Sequence, residues 1–428
     1  MALDLTFPDP AAADAGLSSL ARSVVGSEIL KIAAQIRALQ AGGAEICNLT
    51  VGDFNPAYFP IPEALLEGTR DALAEGQTNY PPSDGVLPLR EAVVRFYERE
   101  LGLRYPVDSV LVVGGARPLL YGAYRTLVDP GDTVVYPVPS WNNNHYANLS
   151  GAKAVELPVH ADHNFFPTLE QIAPHLATAR LLCLNSPLNP TGTMIDAEQL
   201  RAITQAVVDE NEKRKQTGAR PLFFVYDQVY WTLTFGAHHV TPVGLVPEAA
   251  PYVLLLDALS KAFCATGLRV GWGLMPPPMR ARMADILGHV GAWAPKAEQM
   301  ATAKLLDDPA TIRAFQATFL PAVKARLDAL HAGFTSLKAE GLPVDAIAPQ
   351  GAIYLSARFD LFGRTLRGMA LNTNEDIRQL LLQHAGLAIV PFQAFGLKEE
   401  SGWFRLSVGA VSLPDIAAMM PRLRALLA

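Results

Sequence analysis

The sequence has little of what several protein classes require. It has only three cysteines, Cys47, Cys183 and Cys264, at no metal-ligand spacing, which argues against a disulfide framework and a cysteine-based metal site. It has no run of ~18 apolar residues, so no transmembrane helix is predicted. The net charge of −6 comes without a basic stripe, which makes nucleic acid and anionic membranes poor partners. We therefore expect reduced, buried thiols and no metal, nucleic-acid or membrane partner.

Two nucleotide-binding fingerprints and the features of a signal peptide are also missing. Neither the G-x-G-x-x-G pattern nor the Walker pattern occurs. Residues 1–17 are acidic and rich in Ala and Pro, and they lack the basic start and apolar core of a signal peptide. We interpret this segment as a flexible arm and expect a cytoplasmic protein.

What the chain does have is length and apolar material. It has 428 residues, of which 50% are hydrophobic and 18% are charged. A single compact domain rarely exceeds ~250–300 residues, so we expect two domains with separate cores.

Short apolar runs alternate with helical segments between about residues 85 and 275. Strands that alternate with helices predict an α/β domain with a mostly parallel sheet. Near-continuous apolar strands are typical of a sheet that is covered by helices on both faces. The predicted strands are 110–113, 133–137, 154–157, 181–185, 222–226, 253–257 and 270–274.

Helix signals flank these strands. Apolar residues at helical spacing predict a helix over 27–39, capped by Ser27, and Asp196 is placed to cap a helix over 197–214. Residues 63–75 and 308–341 also have helical patterns. Three prolines at 276–278 are a plausible break, and the C-terminal region has strand candidates at 352–355, 387–390 and 404–408.

Polar residues follow several of these strands, where α/β sheets form their sites. Lys261 follows the strand that ends at Asp257, and the segment after it to Gly271 has Arg269 as its other charge. A lone lysine is usually a solvated surface residue. In such an uncharged setting, however, burial would lower its pKa and leave a neutral amine that can form an imine.

Asp227 ends another apolar strand, and Tyr230 follows three residues later. A carboxylate in a buried position needs a cationic partner or strong hydrogen bonds, and a protonated pyridine nitrogen would supply one. The alternative interpretation is an aspartate that caps a helix beside a tyrosine of the core.

Two loops could position further groups. The turn at residues 185–192 has two prolines and a glycine, which can direct Asn189 into a cleft, although a plain β-to-α connection is the alternative. Small residues from Gly114 to Ala116, with Arg117 next, precede a helix. Their backbone N–H groups could bind an anion, but this pattern by itself is weak.

For two larger side chains, the sequence leaves open whether they belong to a functional site or to the structural interior. Trp141 follows a strand and could stack on a planar ring, while core packing is the more frequent role of an aromatic side chain. Arg405 is a charge inside an apolar strand, so it should meet a carboxylate, either from a substrate or in a structural ion pair.

In this order and spacing, these residues resemble the class I/II aminotransferases of pyridoxal-phosphate (PLP) fold type I. The resemblance covers about residues 49–408. It implies an α/β fold: a large domain with a mostly parallel seven-stranded sheet covered by helices, and a smaller α+β domain. We place the PLP-binding domain at 49–310 and the small domain at 1–48 and 311–428.

The resemblance implies roles for the residues around the cofactor. Lys261, next to Ser260, matches the lysine that binds PLP covalently, and Asp227 matches the carboxylate that pairs with the protonated ring nitrogen. Asn189 and Tyr230 match the residues that hydrogen-bond the ring hydroxyl oxygen. Lys261, Asp227 and Tyr230 are the expected catalytic residues.

The remaining roles concern the phosphate, the ring face and the substrate. Arg269 matches the arginine at the phosphate, with Gly115, Ala116 and Arg117 at the phosphate cup. Trp141 matches the stacking aromatic residue and, like Asn189, borders the substrate.

Arg405 matches the arginine that holds the substrate α-carboxylate, and Gly52 lies where a backbone group assists it. Tyr80 resembles a tyrosine that reaches the phosphate of the neighbouring subunit, which implies a homodimer with shared active sites.

The sequence departs from the family pattern in two places. Three residues before the lysine, where the family often has a hydroxyl residue, stands Ala258, and Arg117 could replace that phosphate ligand or face the substrate. After Pro391 the usual glycine and serine are replaced, so Phe392 and Gln393 could reshape the pocket.

The activity implied is amino transfer between an L-amino acid and a 2-oxo acid, by a ping-pong mechanism. Aspartate or glutamate is the first substrate expected, with Arg117 or Lys296 as the candidate second cation, although the sequence around Lys296 is more typical of a surface residue. An aromatic or broad-specificity aminotransferase is an alternative. The same residues could also serve a PLP-dependent lyase, decarboxylase or synthase. A ligand-sensing regulator would need a DNA-binding element, and the first 45 residues contain no sign of one.

Overall fold

The structure is a computed structural model that describes residue 3, residue 5 and residues 14–24, 26, 28–141 and 143–428. In chain order the α-helices of these residues are α1 (Ser19–Ser23), α2 (Glu28–Ala41), α3 (Glu63–Ala74), α4 (Leu87–Leu101), α5 (Ala116–Leu127), α6 (Asn143–Ser150), α7 (Leu169–Leu176), α8 (Ala197–Thr217), α9 (Pro242–Leu245), α10 (Leu259–Ala262), α11 (Pro277–Val290), α12 (Lys296–Leu306), α13 (Pro309–Ala339), α14 (Asn374–Ala385) and α15 (Leu413–Leu427). The strands are β1 (Cys47–Asn48), β2 (Val110–Val113), β3 (Thr133–Val138), β4 (Lys153–Pro158), β5 (Ala179–Asn185), β6 (Phe223–Asp227), β7 (Val253–Ala258), β8 (Gly271–Leu274), β9 (Val344–Ala346), β10 (Tyr354–Phe359), β11 (Thr365–Leu366), β12 (Met369–Ala370), β13 (Leu387–Ala388), β14 (Val390–Pro391) and β15 (Trp403–Ser407).

Seven strands form one sheet in the order β2-β8-β7-β6-β5-β3-β4. β8 runs antiparallel to its neighbours β2 and β7, and the other pairs are parallel. The prediction of a mostly parallel seven-stranded sheet is therefore confirmed, with strand ends that differ by one or two residues. β7, for example, continues through Ala258 because Ala258 pairs with Gly271 of β8.

The sheet is covered on both faces because its strand residues alternate between two apolar cores. Val110 and Val112 of β2 lie in the core that contains α4 and α8, and Leu111 and Val113 lie in the core that contains α5 and α11. Alternate side chains of a strand point to opposite faces of a sheet. A near-continuous apolar strand is therefore the sequence pattern that this position requires.

A smaller antiparallel sheet, β14-β15-β10-β9, is formed by the C-terminal part of the chain. Beside it, β1 pairs in parallel with β13, so an N-terminal strand joins C-terminal ones. A third core contains residues of α13, α14 and α15 together with β10 and β15. A small domain made from both ends of the chain, with boundaries near residues 48 and 310, remains our proposal.

The helix predictions are confirmed where the chain is described. Asp196 caps α8, since its side chain accepts hydrogen bonds from the backbone N–H groups of Glu198 and Gln199. α8 runs past the predicted end to Thr217, where Gly218 adopts the left-handed conformation that ends many helices. Ser27 and most of the predicted N-terminal arm lie outside the described residues.

Two sequence expectations concern burial. The three cysteines are free and buried, as predicted for small apolar side chains. Among the residues that the structure describes, no helix is long and apolar enough to cross a membrane.

Candidate active site

The predicted site residues meet because parallel strands end at one edge of the large sheet. Asn185 at the end of β5 lies opposite Asp227 at the end of β6, and Asp227 lies opposite Leu256 of β7. The short helix α10 begins directly after β7 and carries Lys261, three residues after the end of the strand. The carboxyl edge of the sheet therefore positions the asparagine turn, the aspartate and the lysine together.

Lys261 is partly buried, and its amine points to a backbone oxygen of another segment. Its Nζ donates a hydrogen bond of 2.6 Å to the carbonyl of Gly52 and lies 5.8 Å from the centres of the Phe54 and Tyr230 rings. Burial lowers the pKa of Lys261 to about 8, although Asp53 acts in the opposite direction. The cations of Arg405 and Arg117 lower this pKa further. A larger neutral fraction makes this amine a better nucleophile near neutral pH than an exposed lysine.

Asp227 ends β6 without an opposite charge among the described residues. Its Oδ1 accepts a hydrogen bond of 3.1 Å from the N–H of Val229, and its backbone carbonyl accepts one of 2.8 Å from Asn185 Nδ2. Burial raises the pKa of the Asp227 carboxyl to about 6, and the Val229 bond lowers it. The residues that follow form turns, not a helix, so the helix-cap interpretation of Asp227 is wrong. This carboxylate is suited to a cationic group that the described residues do not supply.

Tyr230 and Asn189 approach from neighbouring loops. The Tyr230 hydroxyl lies 2.6 Å from the Tyr354 hydroxyl. The backbone N–H of Asn189 donates to Asn185 Oδ1 at 2.9 Å, which fixes the asparagine turn, and Asn189 Oδ1 accepts from Arg405. Burial raises the pKa of Tyr230 well above its usual value. This hydroxyl therefore keeps its proton and can donate it in a hydrogen bond.

The glycine-rich segment before α5 forms an anion cup with an arginine across it. Gly115 has a φ of +100°, and a Cβ atom there would lie 2.4 Å from Nη2 of Arg269. Arg269 donates hydrogen bonds to the carbonyls of Gly114 at 2.9 Å and Thr266 at 2.6 Å. The exposed guanidinium thus lies beside the N-terminus of α5, which begins at Ala116. A helix N-terminus and an arginine together suit a phosphate.

Ser260 and Ala258 are the two residues near Lys261 that bear on the phosphate contacts predicted from the sequence. Ser260 is partly buried between Leu259 and Lys261 in α10, and its predicted cofactor contact stays a prediction. Ala258 is fully buried at the end of β7 and provides no hydroxyl group.

Arg117 contacts Trp141. Its guanidinium carbon lies 5.1 Å from the centre of the Trp141 ring, and that ring lies 6.1 Å from the ring of Phe395. Arg117 is exposed, and its charge acts on Lys261. Both roles considered for Arg117, toward the phosphate and toward the substrate, stay predictions.

Arg405 is 1% exposed, and it forms no ion pair with another described residue. Its guanidinium donates to the Thr50 carbonyl at 2.6 Å and to Asn189 Oδ1 at 3.2 Å, while its Nε has no partner in the described chain. The structural ion pair considered for this residue is therefore wrong. A buried cation without an anion is costly, and a substrate carboxylate would compensate it.

Gly52 lies between the lysine and the arginine. Its carbonyl accepts the hydrogen bond from Lys261, and a Cβ atom at this position would lie 3.5 Å from Nη1 of Arg405 and 3.1 Å from the Tyr354 hydroxyl. A side chain here would intrude on the space around the guanidinium.

Tyr80 and Lys296 lie apart from this set. Tyr80 is 80% exposed, and its ring contacts Trp293 at 5.2 Å. Lys296 donates a hydrogen bond of 2.6 Å to Asn79 Oδ1. Within the described chain, neither residue contacts Lys261, Asp227 or Arg405.

Sequence reasoning missed two residues of this site. Tyr354 connects Tyr230 with the Arg405 region, but a tyrosine at the start of an apolar strand has the pattern of a core residue. Asp53 Oδ1 accepts a hydrogen bond of 2.6 Å from Thr266, and its charge raises the pKa of Lys261. Its position next to Gly52 was the signal that could have identified it.

The residues fit PLP. Lys261 offers an amine of lowered pKa, Asp227 offers an unpaired carboxylate for a protonated ring nitrogen, and Arg269 borders an anion cup at a helix N-terminus. Together, the fold and this donor set define a PLP-dependent enzyme of the aminotransferase kind.

The chain belongs to the family described as aminotransferase class I and II, whose model matches residues 44–423. It is 30% identical over 386 residues to a probable aspartate/prephenate aminotransferase of Thermus aquaticus, a match that covers 89% of this chain and 93% of that protein. It is 29% identical to an aspartate aminotransferase of Rhizobium meliloti (strain 1021), over 96% of this chain and 97% of the relative.

Solved structures agree with this assignment. The aspartate aminotransferase from Rhizobium meliloti superposes with a TM-score of 0.86 at 27% identity, and the match covers 96% of this chain and 98% of that one. The aspartate aminotransferase from Thermus thermophilus with maleate gives a TM-score of 0.84 at 27% identity, over 96% and 100% of the two chains. The chain is therefore a PLP-dependent aminotransferase.

Proposed function

We propose that this aminotransferase moves the amino group of aspartate or glutamate to a 2-oxo acid. The observation that carries the proposal is Arg405, a buried guanidinium without a carboxylate partner, beside the lysine that would hold the cofactor. The relatives named for aspartate support the choice of a dicarboxylate.

A dicarboxylate needs a second cation, and Arg117 is the better candidate. It lies on the Trp141 ring and is close enough to Lys261 to affect its pKa. Lys296 is held by Asn79 beside Tyr80 and would need a neighbouring subunit to face a site.

We assign the side chains as follows. Arg405 binds the α-carboxylate, with Gly52 and Asn189 beside it. Trp141 packs on the cofactor ring, while Asp227 holds the ring nitrogen and Tyr230 and Asn189 hold the ring oxygen. Arg269, Ser260 and the N-terminus of α5 at Gly115, Ala116 and Arg117 hold the phosphate.

When bound, PLP supplies the electron sink that makes the α-proton of the substrate acidic. Nζ of Lys261 takes that proton and later donates it, since its lowered pKa suits proton exchange near neutral pH. A positioned base of this kind contributes ~10²–10⁴-fold to the rate. Asp227 keeps its partner nitrogen protonated, and Tyr230 and Asn189 stabilise charge on the ring oxygen.

An aromatic or broad-specificity aminotransferase is the second candidate. The observation that favours it is the aromatic wall of Trp141 and Phe395, with the Phe395 ring 4.9 Å from the Arg405 guanidinium carbon. An aromatic substrate side chain could pack against this wall.

We further propose that the protein is cytoplasmic and forms a homodimer with shared active sites. The support is Tyr80, which is largely exposed and does not contact the other site residues of its own chain. A second subunit would bury this ring and place its hydroxyl group near the neighbour's phosphate cup.

The test is a half-reaction screen with PLP-loaded protein and single amino acids, followed by absorbance. Conversion of the cofactor to its amine form with aspartate or glutamate, reversed by oxaloacetate or 2-oxoglutarate, is the expected result. Conversion only with aromatic or aliphatic amino acids would overturn the proposal that aspartate or glutamate is the substrate. Release of ammonia or carbon dioxide without a keto-acid acceptor would instead indicate lyase, decarboxylase or synthase chemistry.

A further inference from the structure

Tyr354 is a fully buried tyrosine that contacts two of the proposed functional residues. It begins β10 and is 1% exposed. β10 pairs with β15, which carries Arg405, and Tyr354 lies opposite Ser407. The small sheet thus places this tyrosine on the strand next to the substrate arginine.

The hydroxyl and the ring of Tyr354 make different contacts. The hydroxyl lies 2.6 Å from the Tyr230 hydroxyl, and the two rings meet edge to face at 5.5 Å. The ring lies under Arg405, whose guanidinium carbon is 4.8 Å from the ring centre. One side chain therefore connects the residue proposed for the cofactor oxygen with the residue proposed for the substrate carboxylate.

We propose that Tyr354 is a positioning residue with two separable effects: its hydroxyl strengthens the hydrogen bond that Tyr230 donates to the cofactor ring oxygen, and its ring holds the Arg405 guanidinium in place for the α-carboxylate. This inference rests on the proposed roles of Tyr230 and Arg405.

The effect of the hydroxyl follows from counting protons. A tyrosine hydroxyl has one proton to donate. If Tyr230 donates to the ring oxygen, it must accept in its contact with Tyr354, so Tyr354 donates. Its hydroxyl has no other hydrogen-bond partner among the described residues. A hydroxyl that accepts a hydrogen bond becomes a stronger donor, because bonded dipoles polarise each other.

The effect of the ring follows from the environment of Arg405. The guanidinium lies between the rings of Tyr354 and Phe395, at 4.8 and 4.9 Å from their centres. A cation over an aromatic face is attracted to it, most strongly where water is excluded. One backbone carbonyl, of Thr50, and one side-chain amide oxygen, of Asn189, fix one edge of the guanidinium. The two rings fix its plane.

The pH readout depends on charges that all variants would share. Lys261 responds to Asp53, Arg405, Arg117 and Cys264. Tyr230 responds to Tyr354, Arg405 and Asp227. A phenylalanine at position 354 removes only the Tyr354 hydroxyl from these groups and keeps every charged side chain, so a change in the titration reports the lost hydroxyl.

The first experiment is a pH titration of the absorbance of the lysine-bound cofactor in the holoenzyme without substrate. When Nζ of Lys261 loses its proton, the ring oxygen loses its internal donor, so donation by Tyr230 favours that loss. We expect Tyr354→Phe to raise the midpoint by roughly 0.1–0.6 pH unit, which corresponds to ~10–30% of one hydrogen bond to a charged acceptor. Tyr230→Phe should raise it more, and the double variant should match Tyr230→Phe because Tyr354 acts through Tyr230.

The second experiment measures binding of maleate, a dicarboxylate without an amino group to react. Tyr354→Phe keeps the ring and should bind maleate with an unchanged Kd. Tyr354→Leu removes the ring and should raise the Kd roughly fivefold, the loss expected for one cation–π contact. Melting curves of both variants show whether each is folded, and Tyr354→Phe alone tests the hydroxyl if the leucine variant is not.

Tyr136→Phe is the matched control, since Tyr136 is equally buried and its hydroxyl bonds to Glu156 at 3.2 Å, in β3 of the large sheet. It should change neither readout. A wild-type midpoint in Tyr354→Phe, or additive shifts in the double variant, would overturn the inference. Failure of the proposed function would look different, because the wild-type holoenzyme itself would then fail to bind maleate or to titrate through Lys261.

Discussion

The two ends of the large sheet hold their charges in different ways. At the amino end, Arg214 is buried and forms an ion pair of 2.8 Å with Glu210, and its other nitrogens donate to backbone carbonyls, including that of Ala179 at the start of β5. Arg220 pairs with Asp132 at 3.1 Å, just before β3. The charges of Arg214 and Arg220 are thus compensated within the protein.

At the carboxyl end of the large sheet, the protein does not compensate its buried charges by ion pairs among the described residues. Lys261, Asp227 and Arg405 form no ion pair with other described residues, although all three are at least partly buried. Burial shifts the pKa of the lysine down and that of the aspartate up, which is the cost of leaving them unpaired. Buried charge without an ion pair, more than charge itself, therefore marks the edge of the sheet that is suited to bind a charged ligand.

Lys261→Ala gives the largest expected effect on this comparison. It removes both the covalent attachment of the cofactor and the proton carrier, so turnover should be abolished and the absorbance band of the lysine-bound cofactor lost. The matched change at the amino end is Lys213→Ala, at an exposed lysine of α8, which should leave kcat and the band unchanged. Normal turnover in Lys261→Ala would disprove the assignment.

Asp227→Ala should have the next largest effect. The variant should keep some PLP through the phosphate cup but lose most of its rate, by ~10²-fold or more, because the ring nitrogen loses its anionic partner. Single-turnover kinetics with a saturating amino acid would measure this. Asp132→Ala removes a paired aspartate and should keep the rate, whereas a wild-type rate in Asp227→Ala would contradict the proposed role.

Replacing Arg214 and Arg405 by methionine, one at a time, compares the two ends of the sheet through the free energy of unfolding. Arg214→Met leaves Glu210 and several carbonyls unpaired, so the free energy of unfolding should fall by ~3–5 kcal/mol. Arg405→Met removes a cation without an anion, so stability should change little while KM for aspartate rises steeply. Urea unfolding of both variants, with kinetics of the folded protein, separates the two. Equal losses of stability would mean that Arg405 is paired after all.

The smallest effect concerns pH and the cofactor-free protein. The pKa of Lys261 is lowered from 10.5 to about 8 in the folded state. Between these values the unfolded chain holds a proton that the native state has lost, so this residue makes stability rise with pH across that window. Lys261→Met should flatten the rise by on the order of 1 kcal/mol, a figure reduced because the amine is only partly buried. Identical slopes in the two proteins would show that the amine is not desolvated.

Much of this site could be predicted because its residues follow apolar strands. Lys261, Asp227 and Asn189 stand at strand ends, where parallel topology brings distant residues together. Arg405 was recognisable as a charge within an apolar strand, but its partner was not, because spacing does not show whether a carboxylate lies nearby.

Tyr354 could not be found in this way. A tyrosine among apolar residues has the same pattern whether its hydroxyl serves the core or a site. Its partner Tyr230 lies 124 residues away in the chain, and only the tertiary fold brings the two hydroxyls together. The periodicity of apolar residues likewise could not predict the strand order of the small sheet, since β10 pairs with β15, which lies far along the C-terminal region.

The close packing of Gly115 against Arg269 has a consequence for mutational tolerance. Any side chain at position 115 would displace the guanidinium and would also require a backbone conformation that residues other than glycine rarely adopt. Random mutagenesis should therefore recover almost no active variants at this position. Attempts to alter cofactor affinity by directed evolution would have to begin elsewhere in the cup, at Ala116 or Arg117.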